Sequence, residues 1–416
     1  MNYINNFTRK IQFLVGANGS GKTYALHQAL KEMENSGILI TEDGNPIIPR
    51  HLNRVNVDLI KMIYLYKSET SRGKIDRDVE QEPISERVKP IVTFCIKIKK
   101  KLDKFKKKSK GQEKLYNIVS ILSNYNLNNI RIIYFDEPEN FLDEEYLKVI
   151  CKLFTILTSQ DFIVRVATHN SRLLDIIKVE IDDIIFLNSH SQIIITKSEI
   201  EDLYKTVANE IDTIKANFKI QTDASIEYKL NLPDHPEAFN NFLEQTLKSE
   251  EFYRCLFYKH VIIVEGDSDI VALQTIKNEF DTSVEFFNPH GKAYIPFFVK
   301  LFLRLRKEVT VIIDSDYENE EESPLSHPIA ITYYLDECSS RNEINLVKHI
   351  PDLERFYEID LMQIGKNLGM SSKMRNKNNG YLKTVAAFVF FNDEDNREKL
   401  KRHVLSGTND DQFEFE

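Results

Sequence analysis

Short, mainly apolar runs alternate along the chain with stretches of helical periodicity. Ile11–Val15 (IQFLV) ends at a glycine and predicts a buried strand. After GSGKT, Ala25, Leu26, Ala29 and Leu30 share one helical face. The pattern then predicts a helix over Gln112–Leu122, a strand over Ile130–Phe135, a helix over Asp143–Thr158 and a strand over Phe162–Ala167. Ile184–Leu187 and Ile193–Thr196 read as two further strands. Residues 198–258 have a mostly helical pattern, broken at the prolines of LNLPDHPEAF. At His260 the alternation restarts: VIIVEG as strand, Ile270–Phe280 as helix, VEFFNP as strand, Ile295–Arg306 as helix and VTVIID as strand. Two layered α/β units are expected, over 1–197 and 259–416, with 198–258 as a helical linker or dimerisation region. Residues 66–90 are polar, charged and proline-containing and are expected to form a mobile insertion, continuous with a basic arm up to about residue 110.

At 416 residues the chain is long for one core, which agrees with two domains. Hydrophobic residues at 42% and charged residues at 29% describe a soluble globular protein. No apolar run approaches the roughly 20 residues needed to cross a bilayer, so no membrane role is expected. Met1–Lys10 lacks the apolar centre of a signal peptide, and Cys95, Cys151, Cys255 and Cys338 show no metal or disulfide spacing. A cytoplasmic location is expected. The net charge is −9, yet Lys97–Lys110 reads KIKKKLDKFKKKSK, a basic stripe able to bind a phosphate backbone or simply to form a solvated helix face.

Gly16–Thr23 reads GANGSGKT and fits GxxxxGK[ST]. Such a loop between strand and helix forms a nest of backbone N–H groups, here Asn18, Gly19, Ser20 and Gly21, around phosphate oxygens. Lys22 would reach the β and γ phosphates of ATP, and Thr23 would supply a hydroxyl to Mg²⁺. In IIYFDEPE, Asp136 ends an apolar strand where it would support that Mg²⁺, and Glu137 is placed to polarise an attacking water. Together VGANGSGKT, YFDEPE and the ATHN segment resemble the ABC ATPases. The resemblance implies that His169 is a switch histidine and Asp143 a D-loop aspartate. It also implies that SKGQEKL is a signature whose Ser109 and Gly111 contact ATP across a homodimer of heads.

A second acidic constellation follows. HVIIVEGDSDI ends a strand at Glu265 with Asp269 close behind, and VTVIIDSDY ends another at Asp314 and Asp316. In an open α/β sheet these strand ends lie together, and clustered carboxylates suit Mg²⁺ or Mn²⁺. Two such cations could clamp both oxygens of a reacting phosphodiester. A glutamate on the first strand, DxD on the third and Gly291 after the second resemble the Toprim fold. An ABC-type P-loop ATPase followed by a Toprim domain with a mainly parallel sheet resembles the overcoming-lysogenisation-defect (OLD) nucleases.

That family implies Glu265 and Asp269 as metal ligands, Glu354 as a further acidic ligand, and a lysine in the site. Lys383 is the choice that precedes an apolar helix, with Lys373 and Lys377 as neighbours in sequence. Family members include phage-defence nucleases that work alone, with a helicase, or beside a retron reverse transcriptase. The expected function is an ATP-regulated, metal-dependent DNA endonuclease or nickase. The alternatives are an ATP-switched DNA-binding sensor with an inactive Toprim domain and, ranked lower, a repair-type ABC protein.

Overall fold

The computed structural model describes residues 3–33, 35–50, 52, 84–188, 191–218, 224–280, 283–317, 326–371 and 380–407. Two compact units divide at Ile194/Ile195. Among the described residues no helix is long and apolar enough to cross a membrane.

The first unit is built on a seven-stranded sheet in the order β3-β2-β4-β5-β1-β6-β7. Its strands are β1 (Ile11–Val15), β2 (Gly37–Ile40), β3 (Pro46–Ile47), β4 (Ile132–Asp136), β5 (Ile163–Ala167), β6 (Ile184–Asn188) and β7 (Ser191–Ile193). The central pairs are parallel, and the two edge strands β3 and β7 run antiparallel. Among the described residues five helices accompany them: α1 (Lys22–Glu32), α2 (Lys89–Leu102), α3 (Lys110–Asn124), α4 (Glu144–Ser159) and α5 (Ser171–Ile177). The inner strands are apolar on both faces because helices cover both, as parallel sheets require. Leu26 and Ala29 of α1 bury against Leu14, Leu39, Ile132 and Leu187. On α4, Phe154 meets Phe135 edge-on at 5.0 Å between ring centroids.

Strand β7 begins earlier than the apolar run Ile193–Thr196 suggests. It forms a hairpin with β6 in which Asn188 faces Ser191 and Phe186 faces Ile193, so the hairpin register sets its position.

Arg165 is fully buried at the middle of β5. Its guanidinium donates to the carbonyls of Ile4 (2.6 Å), Asn6 (2.5 Å) and Arg9 (3.2 Å), fastening the segment before β1 to the sheet. The Tyr134 hydroxyl donates to Asn5 Oδ1 at 2.6 Å and adds to the clasp.

The described part of the expected insertion and basic arm, residues 84–110, contains α2 and the turn into α3. Helix α2 buries Ile91, Val92, Cys95, Ile98 and Leu102 and packs along α3. Residues 66–83 lie outside the described residues.

The second unit carries a four-stranded, wholly parallel sheet in the order β11-β10-β8-β9. The strands are β8 (His260–Val264), β9 (Val284–Phe287), β10 (Glu308–Asp314) and β11 (Asn345–His349). Helices α6 (Lys197–Phe218), α7 (Ala224–Leu230), α8 (Pro236–Thr246) and α9 (Glu250–Cys255) come first. Then follow α10 (Asp267–Gln274), α11 (Ile295–Arg304), α12 (His327–Ser340), α13 (Leu353–Phe356), α14 (Leu361–Asn367), α15 (Gly380–Phe391) and α16 (Glu394–Gly407).

The stretch 198–258 packs within this unit, with α6 lying against α11 and α12. Its aromatic residues join a cluster in which Phe252 stacks on Phe302 and Phe287 meets Phe298 at 4.6 Å. The opposite face of the sheet, with Ile262, Val264 and Ile312, is covered by Leu382 and Ala386 of α15 and by Val404 of α16. The helix expected over Ile270–Phe280 is shorter. Thr275 Oγ1 bonds back to the Ala272 carbonyl at 2.6 Å, and the chain tightens into a 3₁₀ turn at Lys277–Glu279.

Candidate functional site

The loop between β1 and α1 has the backbone that its sequence demands. Gly19 and Gly21 take φ of +77° and +89°, and Gly21 is the residue on which α1 starts. A Cβ on Gly16 would lie 2.3 Å from the Leu187 carbonyl oxygen, so only glycine fits there. Lys22 is buried, and its ammonium donates to the carbonyls of Gly16 (2.9 Å) and Ala17 (3.3 Å). Burial lowers its pKa against the opposing pull of Glu137, Asp136 and Glu139. Thr23 Oγ1 donates to Asp136 Oδ1 at 3.2 Å, so the two expected magnesium-supporting groups are adjacent. Burial raises the Asp136 pKa, and the Thr23 bond partly offsets this. The buried Ser20 hydroxyl has no partner among the described residues. An open nest, a lysine and an orphaned hydroxyl fit a polyphosphate, and the Thr23–Asp136 pair fits its Mg²⁺.

Glu137 follows β4 with φ +45°, a strained backbone for a glutamate. Its Oε1 lies 3.1 Å from His169 Nδ1, and its Oε2 accepts from Asn140 Nδ2 at 2.8 Å. Beneath it the buried Glu139 accepts from the Thr168 hydroxyl (2.5 Å) and the His169 N–H (3.3 Å). His169 is thereby set beside Glu137.

Lys114 of α3 donates to the Glu137 carbonyl at 2.5 Å, a tie without a signature in the sequence. Asp143 caps α4 by accepting from the Tyr146 N–H. Ser109 caps α3 in a reciprocal pair with Gln112. Gly111 abuts Phe141, whose carbonyl oxygen would stand 2.2 Å from an added Cβ. Ser109 and Gly111 thus form a helix start packed on the loop after Glu137. The lysine run spans the end of α2 and the turn before α3: Lys101, Lys104, Lys106, Lys107 and Lys110 are exposed around Phe105, itself 46% exposed. Lys108 lies over the Tyr116 ring at 4.6 Å.

In the second unit the acids gather at the carboxyl ends of β8 and β10. Glu265 Oε2 accepts the Asp314 N–H at 3.2 Å. Asp269 Oδ2 accepts the Gly266 N–H at 3.1 Å, while its buried Oδ1 has no partner among the described residues. Burial pushes both Glu265 and Asp269 up to about 7. Lys292 opposes the shift at Glu265, and His349 opposes it at Asp269. Asp316 adopts φ +63° just past the strand, and its N–H donates to the Pro351 carbonyl at 3.2 Å. Asp314 Oδ1 accepts the Leu353 N–H at 3.0 Å, which brings the turn carrying Glu354 to the strand end.

Glu354, nearly buried, accepts from Lys383 Nζ at 2.8 Å. Burial opposes the charge on Lys383, but the Glu354 bond and charge outweigh it and its pKa lies above the ordinary lysine value. Lys383 and Glu354 also line an open cavity of about 420 Å³ with Asp352, Arg355 and Glu358. Lys373 and Lys377 lie outside the described residues.

Two residues absent from the sequence expectation enter this site. Lys292, just after the positive-φ Gly291, is buried; its ammonium donates to the Asp314 carbonyl (2.5 Å) and to Asp316 Oδ2, and lies 3.7 Å from Glu265 Oε2. His349 ends β11, and its Nδ1 lies 3.7 Å from both Asp269 Oδ1 and Asp314 Oδ1. The available signals were the GK pair after the second strand and a histidine ending an apolar run before proline. Both are weak as text. Among the described residues no three His, Cys, Asp or Glu side chains already close on one point as around an ion. The donor chemistry nevertheless fits divalent cations: hard carboxylate oxygens, two of the carboxyls buried, one oxygen orphaned.

A search of the curated proteins finds no match. Residues 256–316 match a family described as the overcoming lysogenization defect protein-like TOPRIM domain. This span holds β8, β9 and β10 with Glu265, Asp269, Lys292, Asp314 and Asp316, whereas His349, Glu354 and Lys383 lie beyond it. The second unit therefore carries an OLD-like Toprim region, which points to a nuclease-type function.

Proposed function

We propose that the chain is an ATP-regulated, divalent-metal-dependent DNA endonuclease or nickase acting in anti-phage defence. The observation that carries this reading is the gathering of Glu265, Asp269, Asp314 and Asp316 at two adjacent strand ends inside the Toprim-matching span. Bound divalent cations would polarise a scissile phosphate and lower the pKa of an attacking water. Glu265, Asp314 and Asp316 would hold one cation and Asp269 with Asp314 a second, and Glu354 would support the latter. Lys383, kept charged by Glu354, would stabilise negative charge growing on the phosphate. In the first unit Lys22 and the loop Asn18–Gly21 would hold the ATP phosphates, Thr23 and Asp136 its Mg²⁺, and Glu137 would orient water. Ser109 and Gly111 would meet the nucleotide of a second copy, so that ATP closes a homodimer. The lysines around Phe105 would contact the DNA backbone.

The test is plasmid cleavage by the purified protein with Mg²⁺ or Mn²⁺, with and without ATP, beside Glu265→Ala. Cleavage lost in the variant supports the nuclease, and the ATP lanes give the sign of regulation. Equal cleavage by the variant refutes the assignment. The second reading, an ATP-switched DNA-binding sensor whose Toprim region does not cut, is favoured by the Lys292 ammonium already seated on Asp316 and near Glu265. Metal-dependent DNA binding without any strand break would support it.

A further inference from the structure

We propose that His349 is a nitrogen ligand for a divalent cation held between Asp269 and Asp314, which biases that position toward Mn²⁺ over Mg²⁺. The inference deepens the proposed function, since it rests on these acids binding cations at all.

His349 is 1% exposed, and neither ring nitrogen has a hydrogen-bond partner among the described residues. It stands directly opposite Asp314 in the parallel ladder of β10 and β11, so the two side chains leave the sheet on the same face. Its Nδ1 is 3.7 Å from Asp269 Oδ1 and 3.7 Å from Asp314 Oδ1. An N–H···O bond would be about 2.7–3.2 Å long, so neither approach is one. Asp269 Oδ1 is itself buried and unpartnered, as is the Tyr357 hydroxyl, on a ring 5.6 Å from that of His349.

Leaving such groups unsatisfied costs about 1–3 kcal/mol each, so His349 Nδ1 and Asp269 Oδ1, 3.7 Å apart, call for a common partner. A cation with bonds of about 2.0–2.2 Å to nitrogen and oxygen sets neighbouring ligand atoms roughly 3–4 Å apart, the separation found here. The charge distribution agrees. Lys292 offsets Glu265 and Asp316 on one side of Asp314, whereas on the other side Lys383 is bonded to Glu354 and Asp269 has no lysine bonded to it among the described residues. The rings of Phe356 and Tyr357 back the imidazole and help keep water from it. Imidazole is a softer ligand than carboxylate, and a first-row transition-metal cation such as Mn²⁺ accepts it more readily than Mg²⁺, which holds to oxygen ligands.

The experiment uses the full chain without nucleotide, labelled with ¹⁵N only at histidine, loaded with Mn²⁺ and examined by pulsed electron paramagnetic resonance. A ¹⁵N coupling from the bound Mn²⁺ is expected. In His349→Gln that coupling should vanish and the Mn²⁺ Kd should rise about tenfold or more. Glu265→Ala, on the other side of Asp314, should keep the coupling. Mn²⁺ that binds, with one ion fewer in Asp269→Asn, and shows no histidine coupling in the wild type would overturn the role of His349 while leaving metal-dependent cleavage standing. Absence of any bound Mn²⁺ would overturn both. The wild-type spectrum decides the matter even where a variant fails to fold.

Discussion

Asp269→Asn separates the energetic cost of the acidic site from its use. The side chain is almost fully enclosed, and only one of its oxygens is bonded, to the Gly266 N–H. Burial pushes its carboxyl up to about 7 even with His349 pulling the other way. In an unfolded chain an aspartate titrates near ~3.9. Because the folded value is the higher one, the proton stabilises the folded state. That contribution is fully present below about pH 4 and is lost as pH rises through about 7. At ~1.4 kcal/mol per pH unit, the ionised side chain costs the metal-free protein on the order of 4 kcal/mol at pH 8.

Asparagine keeps the acceptor for Gly266 and carries no charge, but its amide N–H₂ takes the place of the unpartnered Oδ1, and a buried donor left unsatisfied costs about 1–3 kcal/mol. A net gain of about 2 kcal/mol at pH 8 is expected, shrinking toward zero near pH 5. For a unit of this size that is a rise in Tm of roughly 4–8 °C. Thermal melts in EDTA at the two pH values measure it, and added Mn²⁺ should stabilise the wild type at pH 8 more than the variant, which keeps only the cation of Glu265, Asp314 and Asp316 in this site. A variant no more stable than wild type at pH 8, or equally stabilised at both pH values, would mean that the buried Asp269 charge does not cost the fold stability.

In the first unit, Lys22→Ala should abolish saturable binding of a fluorescent ATP analogue, and retained binding would mean that the loop does not hold the nucleotide. Glu137→Gln should bind ATP yet hydrolyse it at least tenfold more slowly, because the group beside His169 and Asn140 no longer orients water; steady-state turnover is the measurement. Arg165→Leu should destabilise the unit by about 4 kcal/mol, since four backbone carbonyls (Ile4, Asn6, Arg9 and Val164) lose a charged donor at about 1 kcal/mol each; urea melts test this. Replacing Lys106, Lys107 and Lys108 by alanine should weaken DNA binding and flatten the slope of log K against log salt by up to about 3, and an unchanged slope would assign the run to a solvated turn.

Much of the architecture is readable in the text because parallel strands buried on both faces are short apolar runs, and each functional strand ends in an abrupt change to glycine or acid. Glu265, Asp314 and Asp136 are visible for that reason. What stays hidden is whatever tertiary packing decides. Lys292 reads as a surface lysine until burial of the turn carries its ammonium to Asp316. His349 has no motif around it and gains its meaning from standing beside Asp314. The lysine run reads as an arm on charge alone, whereas its apolar residues Ile98 and Leu102 sit at helical spacing and bury against the unit. The stretch 198–258 lacks a composition break, and its packing on α11 and α12 together with its aromatic contacts assigns it to the second unit.

The ladder of the second sheet also serves as the measuring frame of the site. Val264 faces Ile312, and Asp314 faces His349, so the offsets of Glu265, Asp314 and His349 follow from backbone pairing alone. Lengthening the connection between β10 and β11 would leave that spacing untouched. Deleting one residue inside β11 would keep an apolar strand yet turn His349 to the opposite face. Such a chain could fold and still lose one corner of its metal position, which gives deletion scanning of β11 a power to separate folding from function that side-chain substitution lacks.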